Sequence, residues 1–312
     1  MSAVREAYGD RYVEALGCAA RWHLGDHRKG SDVPYLSHLL EVSALVWEFG
    51  GDETQAVVGL LHDVLEDTTT AASEIADRFG VEVVEMVVAL SDHIGGRGAG
   101  KQAWKPRKEE YLRKLADHDR RVALVAAADK IANLRSIVTE LDMGEAAGWE
   151  RFTAGMGGTA WYYEQVAQLL AGGPLAGSRP ARMLVDLWAR MSAHIGRERG
   201  AMAELDAGLA RCLLKADPLG LGAVDGATTY PWFALELVRC QLGRNGVEGP
   251  AGPTGAGVRI SPAVAAEVWE NWFGTHRRAG STDSPAPPEV VALVACLETL
   301  DTLDTLDTQS SS

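Results

Sequence analysis

Only four cysteines occur in 312 residues, and Cys18, Cys212, Cys240 and Cys296 lie far apart, with none at C-x-x-C spacing. That pattern excludes a disulfide framework and leaves free thiols, as expected of a reducing cytoplasmic compartment. No uninterrupted apolar run approaches the roughly 18 residues that a transmembrane helix needs, so no membrane span is expected. The start, Met1-Ser2-Ala3-Val4-Arg5-Glu6, lacks the apolar stretch of a secretory signal. Basic charge is in deficit: 30 Lys and Arg against 43 Asp and Glu give a net charge of −13. Nucleic-acid binding, which relies on basic surface to displace counterions, is therefore not expected. A small anionic ligand needs only a local basic pocket and remains open.

Strand-like alternation is also missing from the first 170 residues, and what is there reads as helix. Residues 3–24 carry Ala, Val, Leu and Trp at helical spacing, followed by the polar turn Gly25 to Asp32. Pro34 suits the first turn of a second helix, which Gly50-Gly51 stops, and Asp52 is a candidate N-cap for a third helix from Glu53 to about Glu66. Shorter helices are predicted over 71–79 and 83–90. Residues 94–108 read as a glycine-rich loop turning basic, with helices resuming over 109–116, 120–141 and 149–170, the last with a break at Gly155 to Gly158. The segment 173–180 has linker composition, and further helices are expected over 183–195 and 198–215. Glycine- and proline-rich stretches at 243–257 and 280–288 and the acidic Thr-Leu-Asp repeat of 299–312 read as flexible. The expectation is an all-α protein: a helical bundle over 1–172, a linker, a smaller helical region of unknown role over 181–298, and a disordered tail.

Against that background, four potential metal ligands stand out: His38, the adjacent pair His62-Asp63, and Asp129. Each sits in or beside an apolar helical stretch, and Asp129 follows Ala126-Ala127-Ala128, where a carboxylate is unfavourable unless paired or metal-bound. Glu66 and Asp67 follow at helical spacing from His62 and Asp63, which turns acids toward the same cavity. Imidazoles and carboxylates together suit a borderline divalent cation such as Mn, Fe, Co or Zn. Such an ion with open positions activates water and polarises phosphorus, and Glu66 or Asp67 is placed to accept the proton.

The order His38…His62-Asp63…Asp129 resembles the signature of HD-domain phosphohydrolases. His27-Arg28-Lys29, Pro34-Tyr35-Leu36-Ser37-His38, His62-Asp63-Val64-Leu65-Glu66-Asp67-Thr68 and Ala128-Asp129-Lys130-Ile131-Ala132-Asn133-Leu134-Arg135 further resemble the hydrolase domain of RelA/SpoT-type alarmone enzymes and the standalone SpoT-homologue hydrolases. The resemblance covers roughly residues 5–170. It implies an HD-type helical fold and Mn-dependent removal of the 3′-pyrophosphate from guanosine tetra- or pentaphosphate, (p)ppGpp. It also implies that His38, His62, Asp63 and Asp129 hold the metal and that Glu66 and Asp67 position or activate water. Arg28 and Lys29 would approach base and phosphates, and Asn133 the ribose or phosphate. Lys101, Lys105, Arg107 and Lys108 fall where the family places substrate-facing basic residues. Nothing after residue 180 resembles a synthetase domain.

Several positions depart from the family pattern. Ala126 and Ala132 stand where many relatives carry Lys and His or Tyr, and Thr153 and Met156 stand where Asn and a basic residue are usual. These changes leave the ligand set intact and remove polar contacts near the pocket. Two alternatives therefore accompany (p)ppGpp hydrolysis: a phosphatase for another nucleotide, such as a nucleoside monophosphate or NADPH, and a non-catalytic nucleotide sensor. Homo-oligomerisation is left open. In the C-terminal region, Trp269 and Trp272 are expected to pack a core.

Overall fold

The computed structural model describes residues 8–96, 103–144, 149–200, 236, 240 and 262–273. It is all-α: among the described residues there is no strand, only an isolated antiparallel bridge between His27 and Pro34. The helices are α1 (Asp10–Trp22), α2 (Leu36–Glu48), α3 (Glu53–Leu61), α4 (Val64–Asp67), α5 (Ala72–Phe79) and α6 (Val81–Leu90). They continue with α7 (Trp104–Asp117), α8 (Arg120–Asp142), a 3-10 turn (Trp149–Arg151), α9 (Gly155–Gly172), α10 (Arg179–Gly200) and α11 (Pro262–Phe273). The described residues fall into two compact units, one drawn from Met1–Gln102, Pro106–Arg151 and Tyr163–Met191, the other from Ala103–Lys105, Phe152–Tyr162 and Ser192–Ser312. The predicted flexible stretches at 243–257 and 280–288 and the tail at 299–312 lie outside the described residues.

The first unit is built around α3. Its sequence is apolar on every side, and all residues from Thr54 to Leu61 are buried, the mark of a helix with no solvent face. It packs against α1, α2, α6 and α8. The Asp52 side chain accepts from Gln55 N–H at 3.0 Å, while Gln55 Oε1 accepts from Asp52 N–H at 3.1 Å, completing a reciprocal cap at the start of α3. Gln55 Nε2 also donates to the Arg121 carbonyl at 3.0 Å, and Arg121 pairs with Asp52, so the cap joins α3 to the start of α8. Gly59 sets the approach of α3 to α2, since a Cβ there would lie 3.1 Å from Ser43 Cα and 3.2 Å from Ser43 N.

The second unit explains a glycine cluster that the sequence alone presents as an oddity. Gly155, at φ +60, opens α9, and a Cβ on it would strike the Glu236 carboxylate. Glu236 is buried and accepts from Gly157 N–H at 2.9 Å, so a carboxylate from far along the chain caps the helix and matches its positive end. Trp272 is buried, donates from Nε1 to the Ala154 carbonyl at 3.1 Å, and lies 5.7 Å from the Trp104 ring. Its expected place in a core is what is found.

Five sequence expectations need correction. The helix predicted over 53–66 is interrupted at His62-Asp63, where Asp63 has ψ −1 and α4 restarts the chain. The basic loop is shorter than predicted, because α7 begins at Trp104 and already contains Lys105, Arg107 and Lys108. Pro106 and Pro180 lie in the first turns of α7 and α10, where the missing N–H has no intrahelical acceptor to lose; both had marked non-helical segments. The break predicted at Gly155 to Gly158 falls earlier, at 152–154, and the helix predicted over 183–195 runs over Arg179–Gly200.

The close contact at Gly59 makes a direct test. Gly59→Val should destabilise the protein by about 1–3 kcal/mol in urea unfolding, because backbone rather than a movable side chain stands in the way; an unchanged midpoint would mean that α2 and α3 do not approach this closely.

Candidate metal centre

All four predicted ligands belong to the first unit and converge. His38 projects from α2, Asp129 from the buried middle of α8, and His62 and Asp63 from the break between α3 and α4. Adjacent residues on a regular helix diverge by about 100°, so the break is what lets His62 and Asp63 face one point. His38 Nε2 lies 3.2 Å from Asp129 Oδ1 and 3.9 Å from Asp63 Oδ2. His62 Nε2 lies 2.9 Å from Asp63 Oδ2 and 3.6 Å from Asp129 Oδ1. One ligand atom from each of His38, His62 and Asp129 falls within 4.8 Å of the others.

These residues fit a divalent cation on their own chemistry. His62 Nδ1 lies 3.0 Å from the Gly59 carbonyl, which only an N–H can satisfy, so Nε2 presents its lone pair to the cluster in the neutral ring. His62 Nε2 and both nitrogens of His38 are buried and make no well-directed hydrogen bond. Buried nitrogens facing carboxylates at these distances, without a directed bond to them, are the arrangement a cation completes. Burial dominates at His38 and holds its pKa below the ordinary value. At His62 burial acts the same way but is outweighed by Asp63 and Asp129, which raise it well above. Burial opposes ionisation of Asp129, yet Lys130 and the two imidazoles hold its carboxyl well below the usual range. At Asp63 the burial effect is likewise overcome, chiefly by His62.

Residues the sequence reading left aside surround this set. Lys130 Nζ lies 2.6 Å from Asp129 Oδ2, and the Tyr35 hydroxyl donates to Asp63 Oδ2. Burial and the Asp63 charge raise the Tyr35 phenol well above its ordinary value, so it remains a donor. Buried Tyr111 and Tyr163 also lie within electrostatic reach of Asp129, and burial raises Tyr111 to about 12 and Tyr163 well above its ordinary value. Tyr35 stands inside a quoted motif and Lys130 adjoins a ligand; those were the available signals.

The predicted acids and cations are placed as follows. Glu66 Oε1 accepts from Asp92 N–H at 2.9 Å, and burial, then the charges of Asp92 and Asp63, push its pKa up to about 8. Asp67 closes α4, half-buried. Arg28 donates to Asn133 Oδ1 at 2.9 Å, and Asn133 Nδ2 donates to Asp129 Oδ1 at 2.6 Å. Lys29 is exposed in the turn beside Arg28. Arg107 and Lys108 both bind Asp92 Oδ2, Lys108 at 2.5 Å. Burial opposes ionisation of Asp92, but these two cations hold it well below the usual range. Asp92, which the sequence reading missed, therefore organises the predicted basic residues. Lys105 belongs to the second unit, buried with Nζ 4.0 Å from the centre of the Trp161 ring. Lys101 lies outside the described residues.

Residues 15–149, less than half of the chain, match a family model described as the HD domain, and the region carrying the site is an HD domain. The chain is 34% identical over 131 residues to a GTP pyrophosphokinase of Myxococcus xanthus, covering 41% of this chain and 17% of that protein. It is 33% identical over 116 residues to a guanosine-3′,5′-bis(diphosphate) 3′-pyrophosphohydrolase of Aquifex aeolicus, covering 36% of this chain and 16% of that protein. The match thus spans about a sixth of the length of these relatives. A solved structure described as a metazoan ortholog of SpoT that hydrolyzes ppGpp is 25% identical, with a TM-score of 0.47, covering 59% of this chain and 96% of that one. No helix among the described residues is long and apolar enough to cross a membrane.

Two measurements follow. The first concerns Glu66. The folded protein holds its proton to about pH 8, while an unfolded glutamate ionises near 4.3. Between those values the unfolded chain binds fewer protons, so the carboxyl subtracts stability as pH rises. Metal-free Glu66→Gln should match the wild type at pH 4 and exceed it by roughly 2–4 kcal/mol at pH 8; a less stable variant at pH 8 would refute the assignment. The second concerns His62, whose pKa Asp63 and Asp129 raise well above the ordinary value in the metal-free protein. Calorimetric titration with Mn2+ in buffers of differing ionisation enthalpy should reveal proton release, with affinity falling as pH is lowered. Buffer-independent heats would contradict it.

Proposed function

We propose that this chain is a divalent-metal-dependent nucleotide phosphohydrolase that removes the 3′-pyrophosphate of (p)ppGpp, and that residues 1–172 carry the activity. The observation that carries the reading is the convergence of His38, His62 and Asp129 within 4.8 Å, with Asp63 beside them. The HD-domain match over residues 15–149 and the identity to a protein named as a 3′-pyrophosphohydrolase support it. His38, His62, Asp63 and Asp129 hold the cation, for which Mn is the first choice and Fe, Co or Zn the alternatives.

When bound, that cation makes a water molecule nucleophilic near neutral pH and neutralises charge on phosphate oxygens. The chain's own groups do the rest. With the cation's charge beside it Glu66 would ionise, and its carboxylate takes the proton from water. Water oxygen bonds to the phosphorus attached at the 3′ oxygen, the bond from that phosphorus to the 3′ oxygen breaks, and pyrophosphate departs while the 3′ oxygen gains a proton. Asp67 orients the water. Arg28, Lys29, Lys101, Arg107 and Lys108 supply positive charge for the polyanion, and Asn133 serves the same face while orienting Asp129, whereas Lys105 is buried against Trp161 in the second unit and is not assigned this role.

A second reading, a phosphatase acting on a less charged nucleotide, is favoured by one observation. Arg107 and Lys108 are already engaged by Asp92, and Ala126, Ala132 and Met156 are buried apolar residues at positions where relatives carry polar or basic ones. The two readings release different products. The Mn-loaded protein should liberate pyrophosphate from ppGpp, and Asp63→Ala should reduce turnover at least a hundredfold, on the order of 3 kcal/mol or more. Orthophosphate from NADPH or a nucleoside monophosphate, with ppGpp untouched, would replace the first reading by the second.

A further inference from the structure

The segment between α1 and α2, a polar loop by sequence, is a short hairpin. Arg28 N–H donates to the Val33 carbonyl at 2.9 Å, and Tyr35 N–H donates to the Asp26 carbonyl at 2.8 Å. Two side chains run from this hairpin to the two carboxylates of the metal cluster. Arg28 reaches Asp129 through Asn133, and Tyr35 reaches Asp63 directly. The Tyr35 ring is held between His23 and His38, with ring centres 5.3 and 5.5 Å away. His23 Nδ1 in turn bonds Asp26 Oδ2 at 3.1 Å, at the base of the hairpin.

Asp63 needs such a partner. It stands at the N-cap position of α4, where an aspartate ordinarily accepts from the backbone N–H groups of the following turn. Its side chain makes no such bond. Its carboxylate is turned instead toward the Tyr35 hydroxyl and the His62 ring. The break between α3 and α4 leaves the Asp63 side chain without support from its own helix, and the hairpin supplies that support from outside.

We infer that Tyr35 is a positioning residue for the metal centre: its hydroxyl, framed by the hairpin, fixes Asp63 Oδ2 toward both imidazoles before any cation binds. This rests on the metal-centre reading above and adds to it a residue that touches neither cation nor substrate. Outer partners of this kind are worth about 10–100-fold in metal affinity.

The test is calorimetric titration of metal-free protein with Mn2+ alone, on wild type, Tyr35→Phe, Asp63→Asn and the double variant. Tyr35→Phe should weaken Kd at least about tenfold while leaving the circular dichroism and melting of the metal-free protein close to wild type. In the Asp63→Asn background the same change should alter Kd less than twofold, since the group it acts through is gone. An affinity of Tyr35→Phe within twofold of wild type overturns the inference, as does an equal loss in both backgrounds, which would mean that the hydroxyl acts elsewhere than through Asp63. Absence of Mn2+ binding by the wild type would instead remove the metal reading itself, and a His38→Ala control that binds as tightly as wild type would place the cation elsewhere.

Discussion

The first unit depends on one constraint: two carboxylates and two imidazoles are buried together in its core. Asp129 is flanked along α8 by Ala126, Ala127, Ala128, Ile131 and Ala132, all buried, and an ionised carboxylate there would cost several kcal/mol if left alone. It is not alone. Lys130 and Asn133 come from its own helix, His38 from α2, and His62 from the end of α3. The compensating groups are carried by α2, the end of α3 and α8, so these helices must sit where their side chains can meet. This is why α3 is central: it must bring His62 to α2 and α8 at once, and Gly59, one turn before His62, removes the side chain that would keep α2 away. The same residue's carbonyl fixes the His62 ring, so close packing and ring orientation have a common origin.

Charge alternates outward from this core. Next to Asp63 comes Glu66, kept largely protonated because burial and two neighbouring carboxylates oppose its ionisation. Beyond it lies Asp92, which ionises because Arg107 and Lys108 share one of its oxygens. The contrast between these acids is environmental: both are largely removed from water, but Asp92 has Arg107 and Lys108 on one oxygen, while at Glu66 the charge of Lys108 is outweighed by burial and by Asp92 and Asp63. A buried acid with a raised pKa beside a metal cluster is suited to move a proton, whereas an acid saturated by cations is suited to hold structure.

Different parts of this arrangement were legible in the sequence to different degrees. The ligand types and their helices were readable because His and Asp inside apolar helical runs are conspicuous, and the Asp52 cap because Asp followed three residues later by Gln is a local signal. The interruption at His62-Asp63 was not, since Glu53 to Glu66 carries helical periodicity throughout and only the need to aim adjacent ligands at one point breaks it. Pro106 and Pro180 misled because proline both ends helices and begins them. Asp92 went unnoticed because its meaning lies in Arg107 and Lys108, fifteen and sixteen residues on. The glycines at 155–158 make sense only with Glu236 and Trp272, whose separation in sequence conceals the contact.

The orientation of His62 fixes what the centre can offer a cation. His62 Nδ1 is committed to the Gly59 carbonyl, so Nε2 alone can serve the cluster. The field of Asp63 and Asp129 raises the pKa of that ring despite its burial, so protonation of the ring and binding of a cation would compete for the same atom. Lys130 supplies positive charge on the far oxygen of Asp129. The apolar packing of α3 against α1, α2, α6 and α8 is in place without a cation. A small zinc domain has no such packing and unfolds when its ion leaves. Here the positions of His38, His62, Asp63 and Asp129 are set by the helices, by Asn133 and by Tyr35, so a cation would meet groups already facing one another rather than organise a fold.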